Sequence, residues 1–190
     1  MASEVNVCNR ALQKLGAKRI TSLNEDSPNA RACKTAYEAI RDAELRSHNW
    51  SFAKKRAVLP ENVLGPAYGR YHAYTLPADY LALRDPDPEE NYAELNRHIE
   101  GNHLLTWEPG NVHINYTARI TDPNLMDPIF REALATKLAM ELCEEITQSN
   151  TKKEGLRADY REIIREARKA NAIEKMAAFP PEDTWITGRR

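Results

Sequence analysis

The sequence predicts an α+β protein, mainly α, organised as a four-helix bundle with an antiparallel β lobe inserted between the second and third helices. Three observations carry this expectation. Two stretches of helical periodicity stand near each end of the chain. Between them, Pro60, Pro66, Pro77, Pro86, Pro88 and Pro109 leave little room for a helix. Within that middle, Val112, Ile114, Tyr116 and Ala118 alternate with polar neighbours at the period of a strand. The expected division is 1–49 and 121–179 for the bundle, 50–120 for the lobe, and 180–190 for a C-terminal tail.

The first helix is expected over Ser3 to Leu15, where Val5, Cys8, Leu12 and Leu15 recur at helical spacing and Gly16 stands where a left-handed residue often ends a helix. The second opens with Ser27 as N-cap and Pro28 at the first helical position, sets Cys33, Ala36, Tyr37 and Ile40 on one face, and ends near His48. YHAYTLPADYLAL predicts one or two strands, and a meander is expected from about Leu95 to Ile120, with EGN and EPGN as its turns. The third helix repeats the opening device with Asp127 and Pro128, then lays Phe130, Leu134, Leu138, Leu142 and Ile146 along a broad apolar face. The fourth is expected from about Lys152 to Met176, with Leu156, Tyr160, Ile163, Ile164 and Ala167 turned inward. Pro180 and Pro181 stop it.

SHNWSF, at residues 47–52, falls where the second helix gives way to extended chain. Trp50 and Phe52 are two residues apart, so on a strand both would point one way and pack where the lobe meets the bundle. The rival role is a stacking platform for a base or a sugar, and the packed corner is the commoner use of such a pair.

A chain of 190 residues suits one ordinary domain, and a formal net charge of -1 gives no global attraction to nucleic acid or to an anionic membrane. Cys8, Cys33 and Cys143 are odd in number and show no metal-ligand spacing, which argues against a disulfide framework or a zinc site. The start of the chain has no apolar run after a basic opening, and no stretch approaches the roughly 20 apolar residues that span a bilayer. The expectation is a protein made in a reducing cytoplasm and used or assembled there.

Motifs for chemistry are scarce. None of His48, His72, His98, His103 and His113 pairs with another ligand at a spacing such as HExxH, and the cysteines lie on apolar helix faces. There is no GxSxG, SxxK, GxGxxG or GxxxxGK[ST]. The acids Asp79, Asp85, Glu100 and Glu108 fall in the β region and are the residues a polysaccharide hydrolase would have to use as its carboxylate pair. Two basic features stand out: Lys54–Arg56, and a stripe of Arg157, Arg161, Arg165 and Arg168 on the fourth helix. A DNA-binding module would aim them at phosphates. Glu154, Glu162 and Glu166 within one turn favour a solvated or subunit-facing stripe of surface ion pairs. The tail, EDTWITGRR, keeps a Trp and an Ile that gain nothing in water, so it is expected to fold back on the bundle or dock on a partner.

Three segments carry a resemblance: VNVCNRALQKLGAKRITSLNEDSPNARACKTAYEAIRDAELRSHNWSFAKKRAVLP, YTLPADYLAL, and ARITDPNLMDPIFREALATKLAMELCEEIT. Their helix ending in LG, the ITSL connection, the acidic turn, the Trp-x-Phe and the Pro-x-Asp-Tyr-Leu strand resemble the tail tubular protein A family of short-tailed bacteriophages. The match covers most of the chain and is poor over 61–70 and 84–98. It implies a structural virion protein without catalytic residues or cofactors, a helical core with a β lobe that forms a ring, by family habit a dodecamer, between the portal protein and the tail nozzle or tail tube. Double-stranded DNA would pass through the lumen without specific binding, and assembly would take place in the bacterial host cytoplasm. Under this resemblance Trp185, Ile186, Arg189 and Arg190 are expected to dock on the portal, the stripe to face a neighbouring subunit, and the lobe to face the nozzle. Head-completion connectors of long-tailed phages are similar to a reduced form of the same core, so the tail type stays open.

Overall fold

The computed structural model describes residues 2–63, 65–66, 69–84 and 96–174. Among these residues, four α-helices and six short strands follow one another in the expected order, with the six strands between the second and third helices.

Helix α1 spans Glu4–Leu15. Ser3 caps it by accepting from the Asn6 N–H, and Gly16 closes it at φ 71 with its own N–H on the Gln13 carbonyl. The Ala17 N–H reaches back to the Leu12 carbonyl, completing a Schellman closure in which a left-handed residue is required. Lys152 adds a cation at this end, with Nζ 2.6 Å from the Leu15 carbonyl oxygen. Helix α2, Pro28–Ser47, opens on Ser27 and Pro28 as expected and stops at His48, whose backbone is extended. The link between them is tied by side chains. Asn9 exchanges two hydrogen bonds of 2.8 Å with the Ile20 backbone, and the Glu25 carboxylate accepts from the Thr21 N–H, the Thr21 hydroxyl and the Ser27 hydroxyl.

Helix α3, Pro128–Thr147, takes its cap from Asp127, which accepts from the Ile129 and Phe130 N–H groups. Phe130, Leu134, Leu138 and Leu142 are buried as expected, and so are Ala133, Ala135, Thr136 and Ala139, because α3 is the hub against which α1, α2 and α4 all pack. Helix α4, Asn150–Ile173, begins earlier than the expected Lys152: Gln148 adopts a left-handed φ of 50 and Ser149 supplies the cap. Leu156, Ile164 and Ala167 are buried, while Tyr160 and Ile163 pack partly exposed against the same core.

The strands are β1 Lys54–Leu59, β2 His72–Thr75, β3 Tyr80–Leu83, β4 His98–Glu100, β5 His103–Thr106 and β6 Val112–Ala118. They form two antiparallel sheets, ordered β1-β6-β3 and β2-β5-β4. YHAYTLPADYLAL thus supplies two strands, one to each sheet. The expected meander is corrected. β4 and β5 do form a hairpin about Gly101, but β5 turns to β2 and β6 lies in the other sheet between β1 and β3. The EPGN turn carries the chain from one sheet to the other, held there by the Tyr74 hydroxyl on the Glu108 carbonyl (2.5 Å) and the Gly110 N–H on the Glu61 carboxylate (2.9 Å). A bridge between Glu61 and Tyr74 joins the two sheets just beyond β1.

As the central strand of its sheet, β6 departs from simple alternation. Val112, Ile114, Tyr116 and Ala118 are buried, but Asn115 and Thr117 are buried as well. Arg84 bonds to both of them, its N–H on the Asn115 carbonyl and its guanidinium on the Thr117 hydroxyl. One apolar cluster runs from the helices into the lobe and takes in Leu59, Tyr74, Leu104, Val112 and Ile114.

Candidate functional site

The corner at SHNWSF is built from four elements. Trp50 is 1% exposed and donates its indole N–H to the Glu44 carbonyl of α2 (3.0 Å). Its ring stacks on Phe52 (centroids 6.0 Å apart) and meets Phe130 of α3 edge-on at 4.9 Å, and Phe52 lies 5.0 Å from the same Phe130. The strand geometry expected for Trp50 and Phe52 is corrected: Ser51–Ala53 is a 3-10 turn, which brings the two rings together by folding rather than by two-residue alternation. His48 packs edge-on to Trp50 as well, so the indole is enclosed and offers no face for a ligand to stack on.

Asn171 of α4 completes this corner. Its carbonyl oxygen accepts from the Ser51 N–H (2.7 Å) and hydroxyl (2.8 Å), and its amide donates to the Asn49 carbonyl (3.0 Å). Arg84 donates to the carbonyls of Arg46 and His48, capping the end of α2 with a cation. Beside it, the Tyr160 hydroxyl donates to the Glu44 carboxylate (2.8 Å), and burial with that carboxylate pushes the phenol well above its ordinary range. Sequence reasoning missed Asn171, although 156, 160, 164, 167 and 171 continue one inward face. A polar residue at a core position of that period was the available signal.

The arginine stripe lies on the exposed side of α4, but its expected ion pairs do not form. Among the described residues, none of the ion pairs joins Arg157, Arg161, Arg165 or Arg168 to Glu154, Glu162 or Glu166. The energy of an exposed pair is a few tenths of a kcal/mol, which does not offset the ordering of two long side chains. A depression of about 290 Å³, lined by Met140, Asn150, Lys153, Glu154 and Arg157, opens at the N-terminal end of the stripe. Lys54 and Arg56 are exposed on β1, and Lys55 is engaged by Asp79 at 2.7 Å.

The carboxylates weighed for hydrolysis are separated by the sheet topology. Asp79 precedes β3, while Glu100 ends β4 and Glu108 follows β5 in the other sheet; Asp85 lies outside the described residues. Partial burial pushes the Asp79 carboxyl up, but Lys55 and the Tyr116 hydroxyl outweigh this and hold it below the usual range. That is the opposite of the raised value a general acid needs. Glu108 is paired with Arg97 at 3.5 Å.

His72 bonds to Glu61 at 2.6 Å, His98 and His103 share the β2-β5-β4 sheet, and His113 lies on β6 in the other, so the last three do not converge. No group of three or more His, Cys, Asp or Glu in the described residues could hold a metal ion. The three cysteines are free and buried; Cys8 and Cys33 meet between α1 and α2, and that contact together with burial pushes the Cys8 thiol up. No helix of the described residues is long and apolar enough to cross a membrane. Trp185, Ile186, Arg189 and Arg190 lie outside the described residues. No protein-family model matches the sequence, and no curated protein does.

Proposed function

We propose that this chain is a structural subunit of a phage head-to-tail connector, a ring that joins the portal to the tail nozzle or tube and lets the genome pass. The observation that carries the proposal is the order of elements among the described residues: two helices, a lobe of short strands, two helices, with the aromatic corner of Trp50, Phe52 and Phe130 at the join. That order accommodates the three segments that resemble tail tubular protein A, and the Trp-x-Phe falls at the corner. The exposed arginines of α4, left without glutamate partners among the described residues, supply charge for a neighbouring subunit. Twelve copies are expected by the family's habit, with the tail residues Trp185, Ile186, Arg189 and Arg190 on the portal and the lobe toward the nozzle. No reaction and no cofactor are assigned to the chain.

Electron microscopy or native mass spectrometry of the protein mixed with the portal of the same virus tests this, with a ring on the portal as the expected result. Persistent failure to associate would sink the proposal. Alone, the protein is expected to be monomeric, because an interface whose segments order on binding loses affinity to that ordering. Deleting 180–190 should leave the fold intact and abolish portal attachment. Strong, steeply salt-dependent DNA affinity would count against a lumen through which DNA must slide.

A further inference from the structure

We infer that the outer face of the β2-β5-β4 sheet is the docking site of the chain's own C-terminal tail. The register sets the face. His98 and Ala73 both stand opposite Leu105, and Tyr71 and Trp107 lie one alternation further along β2 and β5. The other face, with Leu104 and Tyr74, belongs to the main core, whereas Ala73 and Leu105 are buried outside that cluster. Over them the Tyr71 ring stands 4.6 Å from His98, edge-on, and 6.0 Å from Trp107. Trp107 remains 56% exposed, an aromatic surface of the kind that takes an apolar anchor.

Charge and length select the tail as occupant. Along this face, exposed Glu100, paired in register with His103, lies two side-chain rows beyond Trp107. Glu100 enters no ion pair among the described residues. The tail reads in complementary order: Trp185 and Ile186, then Arg189 and Arg190. Trp185 to Arg189 covers about 13 Å when extended, the same separation as that between the Trp107 and Glu100 rows of the sheet. Helix α4 ends beside the root of the lobe, since Asn171 holds Ser51 just before β1. Trp185 lies eleven residues beyond Glu174, a reach of about 36 Å, against about 20 Å for the rise of β1 toward the Glu61–Tyr74 bridge that leads into this sheet. Docked there, Trp185 packs against Trp107 and Tyr71, with Arg189 or Arg190 on Glu100. The inference concerns the isolated chain and does not depend on the portal, which would have to compete with this face for the same residues.

The test uses the full chain carrying Trp185→Phe, so that Trp107 is the exposed indole and Trp50 the enclosed one. Removing 180–190 should raise acrylamide quenching of Trp107 about twofold, and a peptide of 180–190 added in trans should reverse it. Glu100→Arg should raise quenching in the same way, and Arg189→Glu with Arg190→Glu should restore protection in that background. Quenching unchanged by the deletion and by the peptide overturns the inference. Protection that is lost on dilution overturns it in favour of a neighbouring copy's tail. Loss of native near-ultraviolet dichroism on deletion overturns it by placing the tail in the bundle core, and the charge-swap set, which keeps the whole chain, then serves as the independent check.

Discussion

Helix α3 and strand β6 are each the central element of their half, and they owe their places to different kinds of information. α3 is positioned by residues within a few places of one another: Asp127 binds the N–H groups two and three residues on, Pro128 opens the first turn, and one apolar period runs to Leu142. β6 is positioned by strands far away in sequence, pairing Thr117 with Lys54 and Ala118 with Tyr80. Local rules therefore suffice for α3, whereas β6 needs the lobe closed around it. Phe130 of α3 reaches the corner of Trp50 and Phe52, from which β1 sets out to pair with β6.

The largest expected effect comes from breaking that meeting point. Trp50→Ala should destabilise the protein by about 3–5 kcal/mol in denaturant unfolding, the range for deleting a fully buried large aromatic. A loss below about 1.5 kcal/mol would mean that the halves are not coupled through this ring. Next, Asn171→Ala should cost about 1–3 kcal/mol, because the Ser51 N–H and Asn49 carbonyl lose their partner in a buried setting. A pair of smaller changes addresses the two centres separately. Asp127→Ala removes the α3 cap and Thr117→Val removes the β6 hydroxyl that accepts from Arg84, each with about 1 kcal/mol expected. If Asp127→Ala unfolds the lobe in step with the helices, the two halves melt as one unit; separate transitions by helix and near-ultraviolet signals would divide them.

The α1–α2 link offers a pH test away from both centres. Hydrogen bonds from Thr21 and Ser27 draw the Glu25 carboxyl from its ordinary 4.5 to about 2. Because the folded value is the lower one, its contribution is complete above the unfolded value and is lost as pH falls through the folded one. Amide exchange at Thr21 and Ser22 should therefore accelerate, relative to the intrinsic rate, between about pH 4.5 and 2, and Glu25→Gln should flatten this dependence. The smallest expected effect on the monomer is from Arg157, Arg161, Arg165 and Arg168 changed together to glutamate, within about 0.5 kcal/mol for exposed sites. Their effect should appear in ring assembly instead, seen by mass photometry with the portal present; a large loss of monomer stability would contradict an assembly role.

Legibility in the sequence follows the same divide. Ser27-Pro28, Asp127-Pro128 and Gly16 state helix ends within three or four residues, and the helices begin and end there. The start of α4 was hidden because its predecessor ends on a left-handed Gln148, a residue that carries no such signal in its name. EPGN looks like a hairpin turn, and only Tyr74 and Glu61, far off in sequence, show that it serves as a crossing between sheets. At the corner, Trp50 and Phe52 were legible as partners, but the 3-10 turn that joins them and the amide of Asn171 that holds it were not. The arginine stripe was legible as a surface, while its expected glutamate pairing was too weak to be dictated by spacing.

The pairing of β1 with β6, from Lys54↔Thr117 to Leu59↔Val112, means that the chain leaves the helices and returns to them side by side, about 5 Å apart. Strands β2, β4 and β5 lie beyond this neck, while β3 returns to pair with β6 and Arg84 returns to the end of α2. Replacing 60–111 with a two-residue turn would join Leu59 to Val112, at the expense of the β3 pairing, the Arg84 contacts to the end of α2 and the apolar contacts of Tyr74, Leu76 and Leu104. A neck of this kind can carry a β2-β5-β4 sheet of different length, and so change what the protein meets while keeping the helices and the β1-β6-β3 sheet beneath it.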